Sequence, residues 1–225
     1  MERVILVKNL TLGYGKNKVI NSADFEIFEQ DFVCVVGANG AGKSTLIKAI
    51  LGLIPFKTGQ ILFGENISRR EIGFLPQEAK IDLNFPATVF EIVMSGNLGR
   101  MGKRIFYRKD DKERAVEILK KLGILKLKNV SFFELSGGQK QKVLLARALI
   151  ATSKILILDE PSNNLDFKSR KDFYKILKDL NKAGLTIVMI THDIDADDLI
   201  GNKVINIKEG DVILETTAKF LRRYK

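Results

Sequence analysis

The stretch FVCVVGANGAGKST, Phe32 to Thr45, decides how the rest of the chain is read. Phe32 to Val36 is a continuous apolar run ending at a glycine, the texture of a parallel strand buried on both faces. Gly37 to Ser44 then fits the phosphate-loop pattern G-x-x-x-x-G-K-[ST], and the apolar run TLIKAILGL follows as a helix. Glycines let backbone N–H groups wrap a phosphate chain without steric clash. Lys43 adds a point charge for the β and γ phosphates, and the Ser44 hydroxyl is a ligand for Mg²⁺. Such a pattern arises by chance in roughly one chain of this length in a hundred, before its strand and helix flanks are counted. The expectation is an α/β fold built on a P-loop nucleotide site.

Further along, KILILDE reads as a second buried strand that delivers Asp159 to its end, with Glu160 next. A carboxylate there can hold Mg²⁺ through water, and its neighbour can orient or deprotonate an attacking water. Two solvated acids at a strand end are the plain alternative, and the P-loop upstream weighs against it. His192, the single histidine, follows the strand TIVMIT; alone it reads as an ordinary strand-end histidine, but in an α/β sheet the carboxyl end of a buried strand is where ligands sit. Gln77 closes IGFLPQ; it reads equally as a ligand reaching Mg²⁺ or water and as a surface glutamine beside a proline. Tyr14, in LGYGK, reads as a base-stacking ring or as a half-buried strand tyrosine. Finally, FELSGGQKQK places Ser136, Gly137, Gly138 and Gln139 directly before the helical run VLLARALI, a second anion-facing helix start.

The remaining texture divides the chain. Asn9 to Tyr14 alternates polar and apolar residues, and ADFEIF places Phe25 and Ile27 on one face. GQILFGENI and IGFLPQ read as short strands, and KVINIKEGDVILE as a hairpin about Glu209-Gly210. From about Pro86 to Ile150 the pattern is helical, with Ala115, Ile118, Leu119 and Leu122 on one face; Phe173, Ile176, Leu177 and Leu180 stripe a later helix. The predicted organisation is one domain, residues 1–225. Residues 1–78 and 151–225 form an α/β core with an antiparallel part, and 79–150 an inserted helical subdomain.

At 225 residues with 45% hydrophobic content, the chain has material for a substantial core. Lysine and arginine number 37 against 27 acids, a net charge of +10 that suits nucleic acid, an anionic membrane surface, or simply a solvated lysine-rich exterior. The densest basic stretch is RMGKRIFYRKDDK, Arg100 to Lys112, and it carries no periodic aromatic platform for single strands. The lone Cys34 excludes an intramolecular disulfide and reads as a buried small hydrophobe. With no signal-like start and no apolar run long enough for a membrane span, the expectation is a soluble chain that meets a membrane through a partner.

Taken in order, Tyr14, GANGAGKST, Gln77, LSGGQ, LILDEP, SNNLD and His192 resemble the nucleotide-binding subunit of ATP-binding cassette (ABC) transporters over nearly the whole chain. The resemblance implies a P-loop NTPase core with a mixed sheet and antiparallel β subdomain plus an inserted helical subdomain. It also implies Tyr14 on adenine, and Gly37, Ala38, Asn39, Gly40, Ala41, Gly42, Lys43, Ser44 and Thr45 on the phosphates. Ser44, Gln77 and Asp159 would surround Mg²⁺, Glu160 would be the catalytic base, and His192 the γ-phosphate sensor. Two such subunits pair head to tail on binding ATP, so that Ser136, Gly137, Gly138 and Gln139 face the partner's nucleotide and Asp166 lies in the loop crossing the interface. Departures are SNNLD, where a small residue is more usual at Asn164, and Lys142, where arginine is frequent; neither removes a catalytic group.

IDLNFPATV followed by a glycine-rich basic segment is similar to the zinc and manganese importers of this family. That implies integral membrane permease subunits, an extracytoplasmic metal-binding protein in the full complex, and a peripheral place on the cytoplasmic face of the cell membrane. Nucleic acid is not expected as a partner. The alternatives are a soluble cassette ATPase acting on nucleic acid or the ribosome, favoured only by charge, and a nucleotide-gated scaffold without turnover, opposed by the intact Asp159, Glu160 and His192.

Overall fold

A computed structural model describes residues 1–225 except 16, 66, 78–86, 103, 153, 164, 193–198 and 225; at Tyr14, Glu71 and Tyr224 it describes the backbone alone. The metal-importer resemblance on IDLNFPATV therefore falls largely outside the described residues, as does Asn164.

The strand before the P-loop, β3 (Phe32–Gly37), lies inside a nine-stranded sheet, and its alternation feeds two cores. Val33 and Val35 pack with Leu46, Ile47 and Ile50 of α1 (Lys43–Ile50), while Cys34 and Val36 face the other side. Cys34 is fully buried, and burial pushes its thiol up to about 12, which makes it an inert apolar filler. Naming the remaining strands β1 (Arg3–Tyr14), β2 (Asn17–Phe28), β4 (Thr58–Phe63), β5 (Ile72–Leu75), β6 (Ile155–Asp159), β7 (Thr186–Ile190), β8 (Lys203–Lys208) and β9 (Asp211–Thr216), the order is β4-β1-β2-β9-β8-β3-β7-β6-β5.

This sheet has two textures. From β8 through β3, β7 and β6 to β5, neighbouring strands are parallel, so β3, β5, β6 and β7 all end at one edge. At the other end β4, β1 and β2 are antiparallel, and this part joins the β8–β9 hairpin through one parallel pair, Ser22 with Asp211. The hairpin turns at Glu209 and Gly210, both with left-handed backbone (φ 52 and 87), the geometry of a tight turn matched to strand twist. The first strand begins at Arg3, six residues before the alternation at Asn9. Val4 to Val7 are all buried, and Asn9 adopts φ 47 at a break in the β1–β2 register, so the bulge puts the two halves out of phase.

Between β5 and β6 run α2 (Val89–Ser95), α3 (Leu98–Met101), α4 (Lys109–Lys121) and α5 (Gly137–Ile150). The Thr88 hydroxyl accepts from the Glu91 N–H, and the Glu91 carboxylate accepts from the Thr88 N–H, a reciprocal cap on α2. Ala115 and Leu119 of α4 are buried with Leu122, and Ile118 is half-buried. Helix α6 (Phe167–Lys182) buries Phe173, Leu177 and Leu180, and Tyr174 beside them. The chain closes in α7 (Thr217–Tyr224), whose Phe220 is buried. Among the described residues no helix is long and apolar enough to cross a membrane.

Candidate active site

The path from β3 to α1 builds an anion cradle. At Gly37 a side chain would put its first carbon 2.5 Å from the Ile207 carbonyl oxygen of β8, so the loop leaves the sheet where only glycine fits. Ala41 N–H donates to the Ala38 carbonyl at 3.1 Å, closing the turn, and α1 starts without a side-chain cap. Its first N–H groups therefore have no partner from a capping side chain. Lys43 is buried and folds back, its Nζ donating to the Gly37 and Ala38 carbonyls at 2.9 and 3.0 Å. Burial lowers its pKa, while Glu160 and Asp159 act the other way.

At the end of β6, Asp159 is buried and accepts from the Ser44 hydroxyl at 3.4 Å. Burial raises its pKa, the Ser44 donation lowers it, Glu160 raises it, and Lys48 and Lys43 lower it. Glu160 sits at φ 49, a left-handed backbone that a glutamate adopts only at a cost of order 1–3 kcal/mol. Its N–H is tied to the Ile190 carbonyl of β7 at 3.2 Å. The carboxylate is held on both oxygens: Oε1 pairs with His192 Nε2, and Oε2 accepts from Gln77 Nε2 at 2.8 Å and Asn163 Nδ2 at 2.5 Å. The strain is thus spent on aiming one carboxylate from a strand end into a ring of polar side chains.

The outcome is an open cavity of about 440 Å³ lined by Asn39, Gly40, Gly42, Lys43, Ser44, Thr45, Gln77, Glu160 and His192. The loop, the Gln77 amide and the strand-end groups that sequence marked separately are therefore neighbours, with Asp159 bonded to Ser44. Tyr14 ends β1, paired with Asn17; its side chain lies outside the described residues.

The second glycine motif is elsewhere. Ser136, Gly138 and Gln139 line a different cavity of about 370 Å³, with Lys126, Lys142 and Ser169 among its walls. Ser136 caps α5: its hydroxyl accepts from Gln139 N–H at 3.4 Å, and Gln139 Oε1 accepts from Ser136 N–H at 2.9 Å. Asp166 caps α6, accepting from the N–H and hydroxyl of Ser169 at 2.9 and 2.7 Å. The two regions are linked by Gln141 of α5, which donates to the Pro161 carbonyl at 2.6 Å, one residue past Glu160. Gln141 and Asn163 are the polar contacts sequence reasoning passed over. Asn163 lay in the SNNLD segment, where its three-residue spacing from Glu160 was the available signal.

An uncapped helix start and a lysine around an open cavity, with a restrained carboxylate aimed into it, define a P-loop nucleoside-triphosphatase. More narrowly, residues 20–163 match the ABC transporter family, and the chain belongs to that family as an ATP-binding, ATP-hydrolysing cassette. It is 35% identical over 227 residues to a zinc transport system ATP-binding protein of Treponema pallidum, covering 97% of this chain and 85% of the relative. It is 36% identical over 189 residues to a manganese transport system ATP-binding protein of Bacillus subtilis, covering 83% and 76%. A solved ABC transporter described as of metal-chelate type, in an inward-facing conformation, superposes with a TM-score of 0.87 at 29% identity, covering 97% of this chain and 85% of that one.

Proposed function

We propose that this cassette drives import of a divalent transition metal, zinc or manganese, by hydrolysing ATP on the cytoplasmic face of a cell membrane. The observation that carries the catalytic part is the Glu160 carboxylate, held by Gln77, Asn163 and His192 at the cavity that Lys43 and Ser44 line. Glu160 takes the proton of the attacking water, and His192 contacts the γ-phosphate. Lys43 exchanges two loop carbonyls for phosphate oxygens, the backbone from Gly37 to Thr45 encloses the phosphates, and Tyr14 stacks on adenine. The donors Ser44, Asp159 and Gln77 are all oxygen-bearing, a set suited to a hard cation, and they would hold Mg²⁺. When bound, Mg²⁺ offsets charge on the β and γ phosphates.

Ser136, Gly137, Gly138 and Gln139 serve the nucleotide of a second copy, with Asp166 at the crossing between copies. Supporting this, Ser136, Gly138 and Gln139 line a cavity apart from the one that Lys43 and Glu160 line. Residues 79–150 act as the helical unit that meets integral permease subunits, and 1–78 with 151–225 as the ATPase core. The names of the relatives support the metal as cargo, which implies an extracytoplasmic metal-binding protein in the full complex. Affinity purification from native membranes, with partners identified by mass spectrometry, tests this. A multi-span protein with a metal-binding protein beside it is expected; ribosomal or DNA-repair proteins would overturn the transport reading and leave the ATPase standing.

A further inference from the structure

The connection between α3 and α4 runs against the burial pattern of the rest of the molecule. Ile105 and Phe106 are 84% and 81% exposed, and among the described residues only the terminal Met1 exposes a larger fraction of a large apolar side chain. The next residue, Tyr107, packs against the core, and Leu98 at the start of α3 is also exposed.

This exposure is not slack chain. Asp111 holds both limbs of the connection, accepting from Asn97 Nδ2 at 2.8 Å, from Arg104 Nη1 at 2.9 Å and from Arg108 N–H at 2.8 Å. Arg104 Nε also donates to the Met101 carbonyl at 3.2 Å. Burial alone would raise the Asp111 pKa, and these donors together hold it below the usual carboxylate range. The apolar pair is thus presented outward by a fastened loop. Next to it in the chain Arg108, Lys109 and Lys112 are exposed, interleaved with the exposed Asp110 and with Glu113, which pairs with Lys109 at 3.6 Å; Arg100 on the preceding helix is half-buried. An exposed apolar pair rimmed by cations is the composition that binds an anionic lipid interface, with aliphatic and aromatic groups at the headgroup boundary and basic groups on the phosphates.

We propose that the Ile105–Phe106 tip inserts into the interfacial layer of an anionic bilayer, with Arg108 and Lys109 on its headgroups. This accounts for both the basic stretch and the exposed pair, which ATP chemistry leaves unused. A bilayer is favoured over a protein because the pair stands out at high exposure, needs no matching pocket, and carries its own cationic rim. The inference takes the presence of a membrane from the transporter reading, but its vesicle-binding readouts need neither ATP nor permease.

The chain contains no tryptophan, so Phe106→Trp supplies a single reporter. With phosphatidylcholine vesicles containing phosphatidylglycerol, its emission should shift to the blue, be quenched by brominated acyl chains, and lose both effects at high salt. Ile105→Ser with Phe106→Ser should reduce cosedimentation with those vesicles by about tenfold or more. Charge removal at Arg108 and Lys109 should cost roughly fivefold each. Basal ATP turnover of the isolated chain should be unchanged in all of them, which verifies the fold. A reporter that is neither shifted nor quenched, or a double serine variant that sediments like the parent, overturns the proposal. So does a double variant that loses only its response to permease, which would make the tip a protein contact.

Discussion

Helix α1 begins at the P-loop with no side-chain cap, whereas helix α5 begins at Ser136 with a reciprocal cap made by its own side chains. Around the first, the chain supplies a buried lysine, a hydroxyl bonded to a buried carboxylate, and a restrained glutamate. Around the second, Ser136 and Gln139 satisfy each other, and the chain's own Lys43 and Glu160 line a different cavity. Two glycine-rich helix starts with the same dipole are therefore unequal: one sits among a lysine and carboxylates, the other is closed by its own cap and is the surface proposed to meet the phosphate of a second copy. On the proposed pairing of two copies, ATP binding belongs to one chain and rapid hydrolysis to two. The Gln141–Pro161 bond then gives the α5 surface a direct route to the segment carrying Glu160.

The largest effect should come from the assembled side. Glu160→Gln keeps the hydrogen-bonding shape of the ring but removes the carboxylate proposed as the base, so ATP binding should persist while turnover falls by roughly 10²–10⁴. Normal phosphate release in that variant would remove Glu160 from catalysis. Gly137→Asp probes the other side: Gly137 has open space where a side chain would stand, so the fold should tolerate it, yet a negative charge would face the incoming phosphate. Turnover should drop about tenfold or more, with nucleotide affinity of the single chain unchanged. In the Glu160→Gln background it should also abolish an ATP-induced dimer on size exclusion. If Gly137→Asp instead weakens nucleotide binding by the single chain as much as Lys43→Ala does, the two loops serve one nucleotide and the contrast fails.

How much of this was legible beforehand follows from how local each feature is. The P-loop and the Asp159–Glu160 pair were readable because a buried strand, its end and the following residues are consecutive in the chain. Gln77 and His192 were different: they reach Glu160 across 83 and 32 residues, so spacing alone left Gln77 balanced against a surface role and made His192 read first as an ordinary strand-end histidine. Their placement needed β5, β6 and β7 to lie parallel and end together. The start of β1 was obscured by the bulge at Asn9, since a positive φ there switches which residues face the core. Nor does any local pattern foretell that β2 meets β9 through a single pair, Ser22 with Asp211. The outward setting of Ile105 and Phe106 was equally hidden, because it depends on three donors converging on Asp111.

Two capped helices sharpen the contrast at a smaller scale. Thr88→Ala and Ser136→Ala each delete one capping hydroxyl, at about 1 kcal/mol. For a chain of this size that lowers Tm by roughly 2–4 °C. The stability losses should match, but only Ser136→Ala should also lower ATP turnover at saturating nucleotide. Equal turnover in the two variants would reduce Ser136 to a cap.

The last effect is one of direction. Asp159 is a buried carboxylate whose pKa is raised in the folded chain, chiefly by desolvation. An acid with a raised folded pKa favours the folded state when protonated. Its cost appears as pH rises from the unfolded pKa, about 3.9, through the folded value. At neutral pH without nucleotide, Asp159→Asn escapes that cost and should melt at a higher temperature than the parent, the gap closing as pH falls below the ordinary carboxylate range. Thermal melts across that range read it directly. Glu91 and Asp166, held below their usual pKa mainly by hydrogen bonds accepted from Thr88 and from Ser169, run the other way: their contribution is present at neutral pH and is lost as pH falls through their folded values. Replacing Asp159 should therefore leave the low-pH limb of the stability curve in place and raise only its neutral plateau. A neutral Asp159→Asn melt below that of the parent would mean that the Ser44 bond outweighs burial. The nucleotide-free site would then be held together by its own acid, the opposite of what the raised Asp159 pKa implies.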